Sequence, residues 1–337
     1  MKKELMYFLF YLSTILLSTS CGVDTPKATN PSTNSTNPTS PNHETTSEEM
    51  LSEDFDLAPD HTFPYQLRTP DKTFELPNKL KEISGLGIDA TNQYLYAVQD
   101  EEGDLFVIDI ATGKVVKEGE FHKDGDYEGV EIVGDRAFVV KSSGTLYEIL
   151  HFKKDNQELI KHKFDFPKNS DIEGLGYDPI DNRLLISCKG KAGKGEEYEF
   201  KKGIFGLDLA TMQLDDDPAY TISVEAVTQF LEVNHHVLEK VDKLIKLFQP
   251  GEEFIFGPSG VAVHPLTGDI YITSSVGKIL VVLHRNGKIK HIIKLKKKVH
   301  AQPEGITFAK DGTLYISNEG KDGKAVIHRF AYQEGQE

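Results

Sequence analysis

One short phrase, an acidic or hydroxyl residue followed by glycine and then an apolar strand, recurs five times and constrains the fold more than any other feature. It reads Glu82-Ile83-Ser84-Gly85-Leu86, Tyr127-Glu128-Gly129-Val130, Ile172-Glu173-Gly174-Leu175, Pro258-Ser259-Gly260-Val261 and Pro303-Glu304-Gly305-Ile306. A second short apolar strand follows each phrase, at residues 94–98, 137–140, 184–187, 270–273 and 314–317. After a tight polar turn a third strand often appears, at 105–108, 146–149, 204–207 and 279–283. The marker glycines 85, 129, 174, 260 and 305 lie 44, 45, 86 and 45 residues apart. Repeats of roughly 40 to 45 residues with several strands each are the signature of a propeller, whose blades bury their faces only against neighbouring blades. The fold class expected is therefore all-β, a five-bladed β-propeller.

The interval of 86 residues leaves a six-bladed ring as the alternative. Its residues read otherwise: Val227, Phe230, Leu231, Val237, Leu238, Val241, Leu244, Ile245 and Phe248 recur at three- and four-residue steps with charges between them. That pattern predicts one amphipathic helical insertion at about 224–249, ended by Pro250-Gly251 and lying against the ring as cover, with docking of a partner as the sharper alternative. His235 and His236 are consecutive, so they point to different faces and make a poor metal pair. The segment 73–76 precedes the first phrase and is expected to close the ring by completing the last blade.

Ahead of the repeats the composition changes twice. Lys2 and Lys3, an apolar run at 5–17 and the small residues Ser18, Thr19 and Ser20 read as a signal peptide over 1–20, too short for a comfortable membrane span. Cys21 then resembles a bacterial lipobox cysteine, although Ser18 stands where a leucine is usual and the nearest leucine is Leu17; ordinary signal-peptidase cleavage is the alternative. A lipidated Cys21, with palmitate among its acyl chains, would hold the chain firmly to a membrane. Residues 21–60, rich in Ser, Thr, Asn and Pro, cannot bury enough surface to order themselves and read as a tether, leaving 61–337 for the propeller domain. With Cys21 lipidated, Cys188 has no disulfide partner and reads as a half-buried thiol rather than a nucleophile.

In a propeller the first strand of each blade lines the central channel, so equivalent residues form a ring. Here the ring is Glu82, Glu128, Glu173, Ser259 and Glu304; Glu82 stands three residues before its glycine, and Ser84 is the strict counterpart. Carboxylates crowded about one axis repel, so some must hold a proton or a cation must sit among them. Oxygen ligands of this kind suit Ca2+, with Mg2+ as the alternative. The competing reading gives the carboxylates backbone amides to cap and water to face. Gln99, Asp100, Lys141, Ser142, Lys189, Ser274, Ser275, Asn318 and Glu319, at the ends of the second strands, form a polar channel mouth. An enzyme reading uses the same ring: a cation as Lewis acid with Glu173, Glu304 or Asp100 as base could hydrolyse a lactone or phosphate ester. The loop 189–203, rich in Gly and Lys, lacks the Gly-Lys-Ser/Thr of a phosphate loop and reads as a mobile hairpin. A net charge of −15 argues against nucleic acid, and the run 294–298 reads as a solvated basic edge.

At the repeat phrases the chain resembles the SdiA-regulated propeller family of bacterial envelope proteins, grouped with other calcium-dependent and phytase-like propellers. Besides the five phrases the likeness is carried by Glu131-Ile132-Val133-Gly134-Asp135 and Gly176-Tyr177, and it runs from about Leu76 to Phe330. The resemblance implies a fold and a location at the bacterial envelope, and it carries over no settled activity. The expectation is thus a monomeric, membrane-anchored binding or scaffold module with a divalent cation near its channel, facing a protein, glycan or small-molecule ligand.

Overall fold

The computed structural model describes residues 62–154, 156–234, 256–321 and 323–334. The expected signal peptide, Cys21, the tether, His235, His236 and the helical pattern beyond Asn234 lie outside these residues.

Among the described residues there are five antiparallel sheets, one per phrase. Blade I comprises β2 (Ile83–Ile88), β3 (Tyr94–Gln99), β4 (Asp104–Asp109) and β5 (Val115–Glu120). Blade II comprises β6 (Tyr127–Val133), β7 (Arg136–Lys141), β8 (Thr145–Leu150) and β9 (Glu158–Lys163). In blade III, β10 (Ile172–Asp178), β11 (Arg183–Cys188) and β12 (Lys201–Asp208) are followed by two short outer strands on β12, β13 (Gln213–Leu214) and β14 (Tyr220–Ser223). Blade IV comprises β15 (Gly260–Val263), β16 (Ile270–Ser274), β17 (Ile279–Leu283) and β18 (Ile289–Lys294). Blade V has β19 (Pro303–Phe308), β20 (Leu314–Asn318) and β21 (Val326–Phe330), and its outer strand is β1 (Lys72–Glu75) from the start of the domain. Phe74 pairs with Ile327 in that last sheet, so the expected closure is what the fold uses.

The long interval holds no sixth blade among the described residues. It contains β12 to β14 and helix α1 (Val224–Val233), whose N-terminus is capped by Ser223 Oγ accepting from Ala226 N at 3.0 Å. Val227 and Leu231, one turn apart, are buried with Ile222 and Phe256 between blades III and IV, which makes this part of the helix cover. Lys294, expected on a solvated edge, instead turns inward and donates to Gly277 O at 2.7 Å.

The repeated glycines form the hub. A Cβ at Gly85 would lie 2.7 Å from Val130 N, and one at Gly174 would lie 2.8 Å from Gly260 Cα; the same crowding passes from Gly129 to Leu175, Gly260 to Glu304 and Gly305 to Leu86. Each inner strand therefore meets the next backbone to backbone, a distance only glycine permits. Serine takes part as well: Ser84 Oγ donates to Tyr127 O at 2.6 Å and Ser259 Oγ to Pro303 O at 2.9 Å, each tying its blade to the next.

At the far end from the channel mouth, charged groups latch neighbouring blades. Asp178, fully buried at the end of β10, accepts from Arg285 Nη1 and Nη2 at 2.9 Å each and from Arg183 Nε at 3.2 Å. Asp89, in the equivalent place after β2, is gripped by Lys153 of blade II at 2.5 Å. Both carboxyls face burial, which would push them up, yet their partners hold them below the usual carboxylate range. Between blades IV and V the latch is neutral: His264 donates to the Tyr65 hydroxyl (2.8 Å), which donates to Gly312 O (2.6 Å). Tyr65 belongs to an N-terminal strap that buries Phe63, Tyr65 and Leu67 against blades IV and V.

Candidate functional site: the channel mouth

The inner strands begin at the mouth, and a register break in each of four blades sets what faces the axis. Pairing skips from Ile83 to Gly85, Tyr127 to Gly129, Ile172 to Gly174 and Pro303 to Ile306. Ser84, Glu128, Glu173 and Glu304 fall in these bulges, where a side chain is released from the pleat and re-aimed. Ser259 lies in the matching place just before β15. The strict ring is thus Ser84, Glu128, Glu173, Ser259 and Glu304; Glu82 stands outside it on the rim, 3.9 Å from Lys81 Nζ.

Two rim carboxylates missed in the sequence reading share the place of Glu82. Asp100 N donates to Glu82 O, Ser142 N to Asp126 O, Lys189 N to Asp171 O and Glu319 N to Gln302 O. Asp126, Asp171 and Gln302 are therefore Glu82's counterparts, each three residues before a marker glycine. The constant offset was the available signal.

Below this mouth the axis is closed. A cavity of about 10 Å³ remains among Ser84, Glu128, Gly129, Gly174, Ser259 and Gly305, room for one water at most. The mouth above it is acidic. Its electrostatics are those of crowded acids with few cations. Burial, then Glu173 and Asp126, push Glu128 up to about 10; burial, then Glu319 and Glu173, push Glu304 up to about 8. Burial followed by Glu82 and Asp100 raises Glu319 to about 7, and burial followed by Glu82 raises Asp100 to about 6. Glu173 is also raised by burial although Lys189 Nζ lies 2.8 Å from its Oε1. Burial works against the Lys189 ammonium, but Glu173, Asp171 and Glu304 outweigh it and raise its pKa.

Several expected mouth residues have structural partners. Gln99 Oε1 accepts from Glu101 N at 2.7 Å, Ser274 Oγ donates to Val276 O at 2.6 Å, and Lys141 lies over the Tyr127 ring. Others do not. The buried Asn318 has neither amide atom hydrogen-bonded among the described residues, and Asp100 Oδ1 and Gln302 Oε1 are likewise orphaned. Buried polar atoms are nearly always partnered, so these need a water or a ligand group. Cys188 is fully buried beside the site rather than half-buried; burial pushes its thiol up to about 12, which leaves no nucleophilic thiolate. Among the described residues no three of His, Cys, Asp and Glu are grouped to hold one metal ion.

The family model described as SdiA-regulated matches residues 63–193 and 216–321. A search of curated proteins finds no match. Among solved structures, glutaminyl cyclase of Myxococcus xanthus is similar over 79% of this chain and 96% of its own, with 10% identity and a TM-score of 0.52. A luciferin-regenerating enzyme matches over the same shares at 12% identity, TM-score 0.45. A Bacteroides thetaiotaomicron protein of unknown function is similar over 74% of this chain and 56% of its own, at 13% identity and a TM-score of 0.43. The first of these likenesses, at 10% identity, speaks to the fold alone.

Proposed function

The chain belongs to the SdiA-regulated family of β-propellers, and from that premise we propose that it is a binding module whose acidic mouth takes a cationic group, held at the bacterial envelope through Cys21. The observation that carries the reading is the crowding of Glu128, Glu173, Glu304, Glu319 and Asp100, all raised, where the one ammonium paired at close range among the described residues is Lys189 on Glu173 at 2.8 Å. A cation seated there relieves that repulsion. The acids come from four blades, Glu304 and Glu319 sharing blade V, and among the described residues no three of them are grouped as metal ligands, which favours an amine or guanidinium with several N–H donors. Asn318 and Gln302 offer the polar atoms that would orient such a group. The envelope reading rests on Lys2, Lys3, the apolar run and Cys21. The hydrolase alternative would need an ion with an open position beside a base, and among the described residues no group of three His, Cys, Asp or Glu favours it.

Thermal unfolding at pH 8 and pH 5, with spermidine, calcium or magnesium added, tests the proposal. A ligand bound only by the folded state raises the midpoint. Spermidine is expected to raise it at pH 8 and hardly at pH 5, and Glu128→Gln with Glu304→Gln should abolish the rise. No shift with any of the three at pH 8 would sink the reading, and a shift with calcium alone would replace the organic cation by a metal.

A further inference from the structure

Blades splay outward, so every propeller has wedges between its outer strands that something must fill. Here Phe63, Tyr65 and Leu67 fill the wedge between blades IV and V, and α1 with Phe256 fills that between III and IV. Phe74, Leu76 and Leu80 fill the wedge between blades V and I. Between blades I and II a cleft of about 400 Å³ stays open, within the usual range of small-molecule sites.

Its walls are Tyr94, Tyr96, Leu105 and Val107 on the face of blade I, with Phe121 and Phe152 opposite. Lys117, Lys153 and Gln157 complete it. We propose that this cleft binds a small amphipathic anion, a single acyl or aromatic body bearing one carboxylate or sulfonate. Aromatic and aliphatic walls with a few polar groups suit the body. For the anion two lysines are at hand, and they differ: Lys153 is held by Asp89, whereas the Lys117 ammonium has no hydrogen-bond or ion-pair partner among the described residues. The Tyr94 hydroxyl is equally unengaged among them.

Gly119 is the second observation. It sits within β5 opposite Leu105, where glycine weakens a strand, and a Cβ there would meet nothing within 4 Å. Unlike the hub glycines, it answers to no neighbouring backbone. What its missing side chain leaves is the open cleft. Val116, 56% exposed, extends the apolar surface at its edge.

The test is calorimetric titration with decanoate, for an acyl body, and with 1-anilinonaphthalene-8-sulfonate, for an aromatic one. Saturable binding of one molecule per chain is expected for at least one of them. Gly119→Leu should weaken it tenfold or more with an unchanged unfolding midpoint. Lys117→Glu should weaken decanoate by a similar factor while leaving the neutral analogue decanol nearly unaffected. Absence of saturable binding by either probe overturns the proposal, as does binding that both variants leave intact. Should Gly119→Leu unfold the protein, the contrast between decanoate and decanol in Lys117→Glu decides alone.

Discussion

At the scale of single residues, Glu128 shows what an acid in the mouth does to the fold. Its folded-state pKa, about 10, lies far above the ordinary 4.5, mainly because burial opposes its charge and then because Glu173 and Asp126 face it. The unfolded chain therefore gives up this proton from about pH 4.5 upward while the folded chain keeps it, so stability falls as pH rises through that window. Glu128→Gln removes the titration. It should leave stability unchanged at pH 4 and raise it at pH 8, on the order of 1 kcal/mol, read from urea unfolding at both pH values; a loss at pH 8 would mean that the carboxylate is structurally required. Such residues were legible because Glu-Gly recurs at one period. Ser259 was legible in position yet not in role, since nothing local tells that its hydroxyl is spent on Pro303 O. Asp126 and Asp171 were missed because an acid two residues ahead of a Glu-Gly looks like ordinary surface charge until the backbone pairs it with the end of the second strand.

Among the elements, inner strands announced themselves and outer ones did not. β5 and β9 are largely exposed, with sequences Val-Val-Lys-Glu-Gly-Glu and Glu-Leu-Ile-Lys-His-Lys that carry no clean alternation, because each shields its blade with only part of one face. The wedge fillers were hidden for another reason: the strap and α1 stand outside the repeat, so no internal comparison aligns them. Latches between elements separate by burial. Arg285→Ala would leave the fully buried Asp178 with Arg183 as its remaining cation, and breaking such a pair from one side costs about 3–5 kcal/mol. Lys153→Ala removes the corresponding grip on Asp89, but the lysine side chain is 47% exposed and water can replace it, so about 1 kcal/mol or less is expected. Chemical denaturation of the two variants checks the ranking, and equal losses would contradict it.

Over the whole molecule two sets of buried titrating groups pull stability in opposite directions. His264 and His300 hold the strap, through Tyr65 and Leu67 O, and burial pushes them from 6.5 down to about 4 and about 3. The unfolded chain binds their protons first, so their contribution is full at neutral pH and is lost as pH falls from 6.5 toward those values. The mouth acids work the other way. Glu304, Glu319 and Glu128, raised to about 8, about 7 and about 10, lose stability for the fold as pH climbs from 4.5 through those values. The two slopes oppose each other between about 4.5 and 6.5, so the unfolding midpoint, followed from pH 3 to pH 10, should peak in that window. A cation in the mouth acts on one limb only: it stabilises the ionised acids and leaves the histidines untouched. Saturating spermidine should therefore make the alkaline limb shallower, leaving the share of the buried Glu131, which lies away from the mouth and is raised to about 8, and leave the acid limb where it was. A midpoint still rising above pH 8 without added cation would show that the mouth carboxylates are ionised at no cost to the fold, and the reason for the mouth to hold a cation would go with it.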